Sequence, residues 1–359
     1  MKVAKGASMV RATLVVVMLV MFAGCNSKRA EPTPVVTATA PNSPAPALEK
    51  PRTPIVLAQL TGSPKHIAVD ANAVYVTEHD WNADNLPTKI VRIPLDGSKS
   101  TVLATNQHNG QSIVATKDAL FWLVSGDVDK NIPDAVVKQL LTGGPPKNIS
   151  KVFVFSDAAL VADATHLYFG DNRNDKAVLM KLAISGGKAE EIAASSFDSI
   201  AVLAVDSTNA YWVSLGDILK APLAGGAATV LVKNTGLGNV WGLASDGKHL
   251  YWTDRNNYRS DDANTGAVRR IPVTGGAIET IASGLRGRPW DIATDATHVY
   301  WVINAEKNGG VMRAAKTGGP ASVVVGGQSS PVHLALDEDY VYWANAGGDQ
   351  AVGKAPKAP

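Results

Sequence analysis

Leu243-Ala244-Ser245-Asp246-Gly247-Lys248-His249-Leu250-Tyr251-Trp252-Thr253-Asp254 is the stretch on which the fold turns. It reads as a short apolar strand ending in Asp, a tight polar turn, and a second strand carrying an aromatic pair. Downstream come a polar loop, the basic-bearing strand Val268-Arg269-Arg270-Ile271-Pro272, the turn signal Gly275-Gly276 and the outer strand Glu279-Thr280-Ile281-Ala282. Four short strands joined by turns cannot bury both of their faces alone, so such a unit has to stack against copies of itself.

Copies are present. Ile67-Ala68-Val69-Asp70, Ile113-Val114-Ala115-Thr116, Leu160-Val161-Ala162-Asp163, Leu203-Ala204-Val205-Asp206, Ile292-Ala293-Thr294-Asp295 and Leu334-Ala335-Leu336-Asp337 repeat the first strand, so seven copies follow one another at intervals of about 40–49 residues. Each leads into an aromatic strand, at Tyr75-Val76, Phe121-Trp122, Tyr168-Phe169, Tyr211-Trp212, Tyr300-Trp301 and Tyr342-Trp343. That interval is the period of a four-stranded propeller blade, and the large rings suit the wedge between neighbouring blades. The fold class is therefore all-β, a seven-bladed β-propeller over residues 54–359. The last copy stops at Val352-Gly353-Lys354-Ala355-Pro356, where an outer strand is still owed, while Pro54-Ile55-Val56-Leu57-Ala58 has an outer-strand pattern with nothing before it. The N-terminal strand is expected to complete the C-terminal blade and close the ring.

Tyr251-Trp252-Thr253-Asp254, with degenerate versions such as Tyr342-Trp343-Ala344-Asn345, makes residues 54–359 resemble the YWTD and NHL-like propeller families. Those families include receptor ectodomains, scaffolds, lactonases and antibiotic lyases, so the resemblance implies the ring and not one activity.

The first 25 residues carry a separate message. Lys2, Lys5 and Arg11 precede the apolar run 13–21, then Phe22-Ala23-Gly24-Cys25. This resembles a bacterial lipoprotein signal, with residues 1–24 cleaved and the thiol of Cys25 lipidated. The apolar run is too short to cross about 30 Å of hydrocarbon as a helix. Residues 25–53 are rich in Pro, Ala and Thr, the composition of a disordered tether. The expected location is the bacterial envelope, with the membrane reached through lipid on Cys25. Asn26 after the cysteine, rather than Asp, resembles lipoproteins sent to the outer membrane of a Gram-negative cell. Cys25 is the single cysteine of the chain, which excludes disulfides and thiolate metal sites, and a formal net charge of +2 gives no electrostatic case for nucleic acid.

No nucleophile elbow, HExxH helix, phosphate loop or dinucleotide fingerprint occurs, and no catalytic residue is assigned. The recurring Asp70, Asp163, Asp206, Asp246, Asp295 and Asp337 fit Asx-type turns, and His166, His249 and His298 are expected as exposed turn residues. The entries to the innermost strands, His66, Ser112, Ala159, Val202, Gly242, Asp291 and His333, fall where a propeller opens its central channel. His66, Asp291 and His333 come from adjacent blades and form the candidate channel-mouth site, able to hold a divalent metal or to exchange protons; the other reading is that they cap their strands. Trp241 and Trp290 stand one position earlier in their blades, as a floor for a ring-shaped ligand or as packing between blades. The loops after the aromatic strands vary in length, and Trp81, Arg255 and Tyr258 in them are candidates for binding a protein or glycan. Two functions follow: a non-enzymatic binding or scaffold module, or an enzyme resembling the metal-dependent lactonase and lyase propellers.

Overall fold

The computed structural model describes residues 50–80, 87–126, 131–153, 158–173, 176–194, 200–233, 235, 239–255 and 265–358. The signal peptide, Cys25 and the tether as far as residue 49 lie outside the described residues, as do Trp81 and Tyr258. The described residues form 28 strands in seven four-stranded antiparallel sheets, a seven-bladed propeller. The innermost strands, in ring order, are Ser63–Val69, Gly110–Ala115, Leu160–Ala162, Leu203–Val205, Val240–Ser245, Arg288–Thr294 and Pro331–Leu336. Blade 5 continues through His249–Asp254 and Gly266–Pro272 to Glu279–Leu285.

Alternation along the aromatic strand builds the ring, because successive side chains leave opposite faces of a blade. In blade 4 the Tyr211 ring packs with Trp252 of blade 5, and in blade 5 the Tyr251 ring packs with Trp301 of blade 6. Tyr300 meets Trp343 in the same way, and Phe121 meets Phe169 across the joint between blades 2 and 3. The first aromatic residue of each pair thus faces the next blade and the second, Trp or Phe169, the previous one. Seven apolar clusters result, one for each joint. Trp122, Trp212, Trp252, Trp301 and Trp343 are fully buried, and truncating one to Ala costs about 3–5 kcal/mol.

At the far end of the channel six inner strands turn on an aspartate, and Thr116 takes that place in blade 2. In blade 4 the Asp206 Oδ1 accepts from the backbone N–H groups of Thr208 and Asn209, while its Oδ2 accepts from the Tyr211 hydroxyl. Asp163 repeats this with Thr165, His166 and Tyr168. Burial opposes ionisation of Asp163, but those donors outweigh it and hold the carboxyl at about 2. His166, His249 and His298, expected as exposed turn residues, are half-buried first residues of their strands, each ring lying against the Tyr two positions on. Their own N–H groups donate to the turn aspartates, which pulls them into the sheet. The turns out of the third strands use positive-φ glycine: Gly275, at φ 88°, donates its N–H to the Pro272 carbonyl.

The basic residue of the third strand has a role that motif reading did not assign. It stands opposite the aromatic residue in register, Tyr211 with Lys220 and Tyr251 with Arg270, so both leave the same face and the cation reaches the next blade. Lys138 Nζ donates to the Ile184 carbonyl at 3.0 Å, Lys220 Nζ to Val273 at 2.8 Å and Lys354 Nζ to Leu95 at 2.7 Å. Arg270 and Arg313 reach Lys316 and Lys357 in the same manner. These cations latch blade to blade.

The ring closes as expected. Ile55–Gln59 pairs antiparallel with Ala351–Pro356 as the outer strand of blade 7. Leu57 is buried with Val76, Tyr342 and Val352, and the Arg52 guanidinium donates to the carbonyls of Lys357 and Ala358. First and last segments of the ring are thereby clasped together.

Candidate functional site

The mouth of the channel is shaped by β-bulges. Inner strands of blades 5, 6, 7, 1 and 2 each lose register near their entry: between Val240 and Leu243, Pro289 and Ile292, Pro331 and His333, Pro64 and His66, and Gly110 and Ile113. A bulge inserts one residue and re-aims its neighbours, and the residues it re-aims here include Trp241, Trp290, Asp291, His333 and His66. Blades 3 and 4 differ. Their inner strands, Leu160–Ala162 and Leu203–Val205, are three residues each, and among the described residues they bring only apolar side chains to the cavity, from Ala159 to Val161 and from Ala201 to Leu203.

A cavity of about 180 Å³ occupies this end of the channel, and all seven strand-entry residues named from the sequence line it. The polar and aromatic groups form an arc on one side. The His66 and His333 rings stack with centroids 3.9 Å apart. His333 Nδ1 lies 3.2 Å from Asp291 Oδ2, which also accepts from the Leu334 N–H, while Asp291 Oδ1 accepts from its neighbour Ile292 N–H. The carboxylate therefore locks blade 6 to blade 7. The Thr77 hydroxyl accepts from the His66 N–H at 3.0 Å and pins the bulge of blade 1. Burial pushes the His66 imidazole well below the ordinary histidine value, and the nearby His333, Lys65 and His79 add to the effect, so His66 is neutral at pH 7.

The expected trio thus meets in space, as an imidazole stack with a carboxylate bonded to one ring. Among the described residues no set of three His, Cys, Asp or Glu side chains is arranged to hold a metal ion.

Arg255 does not project from a loop tip. Its side chain is 7% exposed and its guanidinium sits 4.2 Å from the Trp241 ring and 4.1 Å from the Trp290 ring. The two indoles are themselves 4.4 Å apart. Thr253 of the Tyr-Trp-Thr-Asp motif donates its hydroxyl to the Trp290 carbonyl at 2.6 Å, and Asp254 receives Arg269 Nε at 2.7 Å. That motif therefore holds the bulge of the neighbouring blade in place. Gly242 is obligatory beside it, because a Cβ there would lie 2.8 Å from the Trp290 carbonyl oxygen. The Arg255–Trp241–Trp290 cluster carried no sequence signal as a unit: its members are 14 to 49 residues apart and meet only through two bulges on adjacent blades.

No family model matches the chain, and no curated protein matches it. Among solved structures it is similar to a chain in the crystal structure of a nidogen/laminin complex, at 19% identity and a TM-score of 0.48, over 64% of this chain and 84% of that one. It is also similar to the computationally designed Ika8 protein, at 13% identity and a TM-score of 0.55, over 84% of this chain and 98% of that one. At such identities the likeness is one of fold alone: this chain is a seven-bladed β-propeller.

Proposed function

We propose that the chain is an envelope lipoprotein, anchored through Cys25, whose propeller is a non-enzymatic binding module for a protein or glycan partner, docked at the channel mouth. The asymmetry of that mouth carries the reading. Packing alone needs no polar arc, and among the described residues blades 3 and 4 line the cavity with apolar side chains such as Ala159 and Val202. Blades 5, 6, 7 and 1 instead bulge and bring two imidazoles, a carboxylate and a pair of indoles to one rim. Residues 50–54 enter the ring at its opposite end, where Arg52 meets the carbonyls of Lys357 and Ala358.

The test offers solubilised envelope proteins and, separately, purified peptidoglycan fragments to the immobilised full chain. Saturable retention of one class is expected, lost in Trp241→Ala/His333→Ala and kept in Lys220→Met, which lies at the other end of the ring. Retention that ignores the mouth variant, or no retention of either class, overturns the reading. Anchoring is tested by Cys25→Ser, which is expected to move the chain from the membrane pellet to the soluble fraction.

A further inference from the structure

The rim described above is specific enough to name a ligand chemistry, on the premise that the mouth is the docking site. We propose that the channel mouth binds one neutral pyranose ring of a glycan, stacked on Trp241 and hydrogen-bonded by His66, His333 and Asp291.

Size comes first. A cavity of about 180 Å³ falls below the roughly 300–1,000 Å³ of sites for drug-sized molecules, so it takes a single ring rather than an extended chain. Charge comes second. Asp291 is the one carboxylate lining the cavity among the described residues, and three N–H donors already spread its charge. Arg255 is turned against two indoles and is 7% exposed. Among the described residues neither a cation nor an anion finds an uncommitted counter-charge here, and an ion stripped of water without one is strongly disfavoured.

Hydrogen-bonding capacity comes third. With His333 Nδ1 donating to Asp291, its Nε2 is an acceptor, and neutral His66 supplies one donor and one acceptor. Neither His66 ring nitrogen nor His333 Nε2 has a hydrogen-bond partner among the described residues. A carboxylate has about four acceptor positions, and Asp291 uses three of them. An aliphatic side chain from a protein partner would strand all of these groups without water. Sugar hydroxyls, each both donor and acceptor, match the mixture, and the C–H face of a pyranose matches the indole that lines the same cavity.

The full chain is titrated separately with glucose, galactose, mannose and N-acetylglucosamine, read by saturation-transfer NMR and by tryptophan fluorescence. At least one sugar is expected to saturate with a Kd on the order of 1 mM, the affinity of about 4 kcal/mol that a single small ring achieves. Trp241→Ala is expected to weaken it at least tenfold, Trp241→Phe to restore part of the loss, and Asp291→Asn to weaken it. Absence of saturation transfer from all four sugars, or binding indifferent to Trp241→Ala, overturns the proposal. If the sugars fail while the mouth variant still loses its envelope fraction, the sugar chemistry alone is wrong; if that retention is also indifferent, both readings fall.

Discussion

Closure of the ring rests on one short strand: Ile55–Gln59 is the outer strand of a blade whose other three strands lie at the opposite end of the sequence. Leu57 is its one fully buried side chain, 7% exposed against Val76, Tyr342 and Val352. Leu57→Ala removes that contact from an outer strand that partly relaxes, which places the cost at the low end of the usual range, about 2–3 kcal/mol. For a domain of this size that corresponds to a fall in thermal midpoint of roughly 3–5 °C. Deleting residues 50–59 also removes the ladder to Ala351–Pro356 and the two Arg52 hydrogen bonds. At about 1 kcal/mol net for each hydrogen bond, the sum approaches the whole stability of an ordinary domain, about 5–15 kcal/mol. A chain ending at Val341 loses Trp343 and the same clasp from the other side. Differential scanning calorimetry is the assay, and a single transition that moves down as a unit is the expected result. A deletion variant with the wild-type midpoint would refute closure as a determinant of ring stability.

Lys220→Met keeps the apolar stem but removes the donor to the Val273 carbonyl; a loss of about 1–2 kcal/mol is expected in urea unfolding, and no loss would make the latch ornamental. Stability should also fall on mild acidification. His66 is held neutral in the ring while the unfolded chain takes up its proton near pH 6.5, so the unfolded state binds more protons and stability declines as pH falls below about 6.5. His66→Gln is expected to flatten that limb; a wild-type urea midpoint constant between about pH 6.5 and 5 contradicts it. A second limb opens below about pH 4, where Asp163, held at about 2, and Asp206, Asp246 and Asp295, all held below the ordinary value, begin to lose their stabilising charge.

The fold was legible because the ring is repetition. The first strands from Ile67 to Leu336, the aromatic strands and the Gly-Gly turns recur at one period, and the missing outer strand after Pro356 points to Ile55–Gln59. Local chemistry sufficed for the aspartate turns as well. The mouth was legible only in part. Aligning the seven strand entries picked out His66, Asp291 and His333, but the bulges between Pro64 and His66, Pro289 and Ile292, and Pro331 and His333 carry no one-residue signature, so neither the imidazole stack nor its partner carboxylate was readable as a contact. Arg255 looked like a loop residue because its place under Trp241 and Trp290 depends on a neighbouring blade. The latch cations were visible as a basic residue in every third strand, from Arg92 to Lys354, yet their acceptors are backbone carbonyls, which no side-chain pattern encodes.

The most direct measurement is amide hydrogen exchange across the ring with and without the envelope fraction that the chain retains. Docking at the mouth predicts slower exchange at the bulged entries around His66, Trp241, Asp291 and His333, and no change at the aspartate turns of the opposite end. Protection confined to those turns or to the outer strands, with the mouth unchanged, would contradict the account.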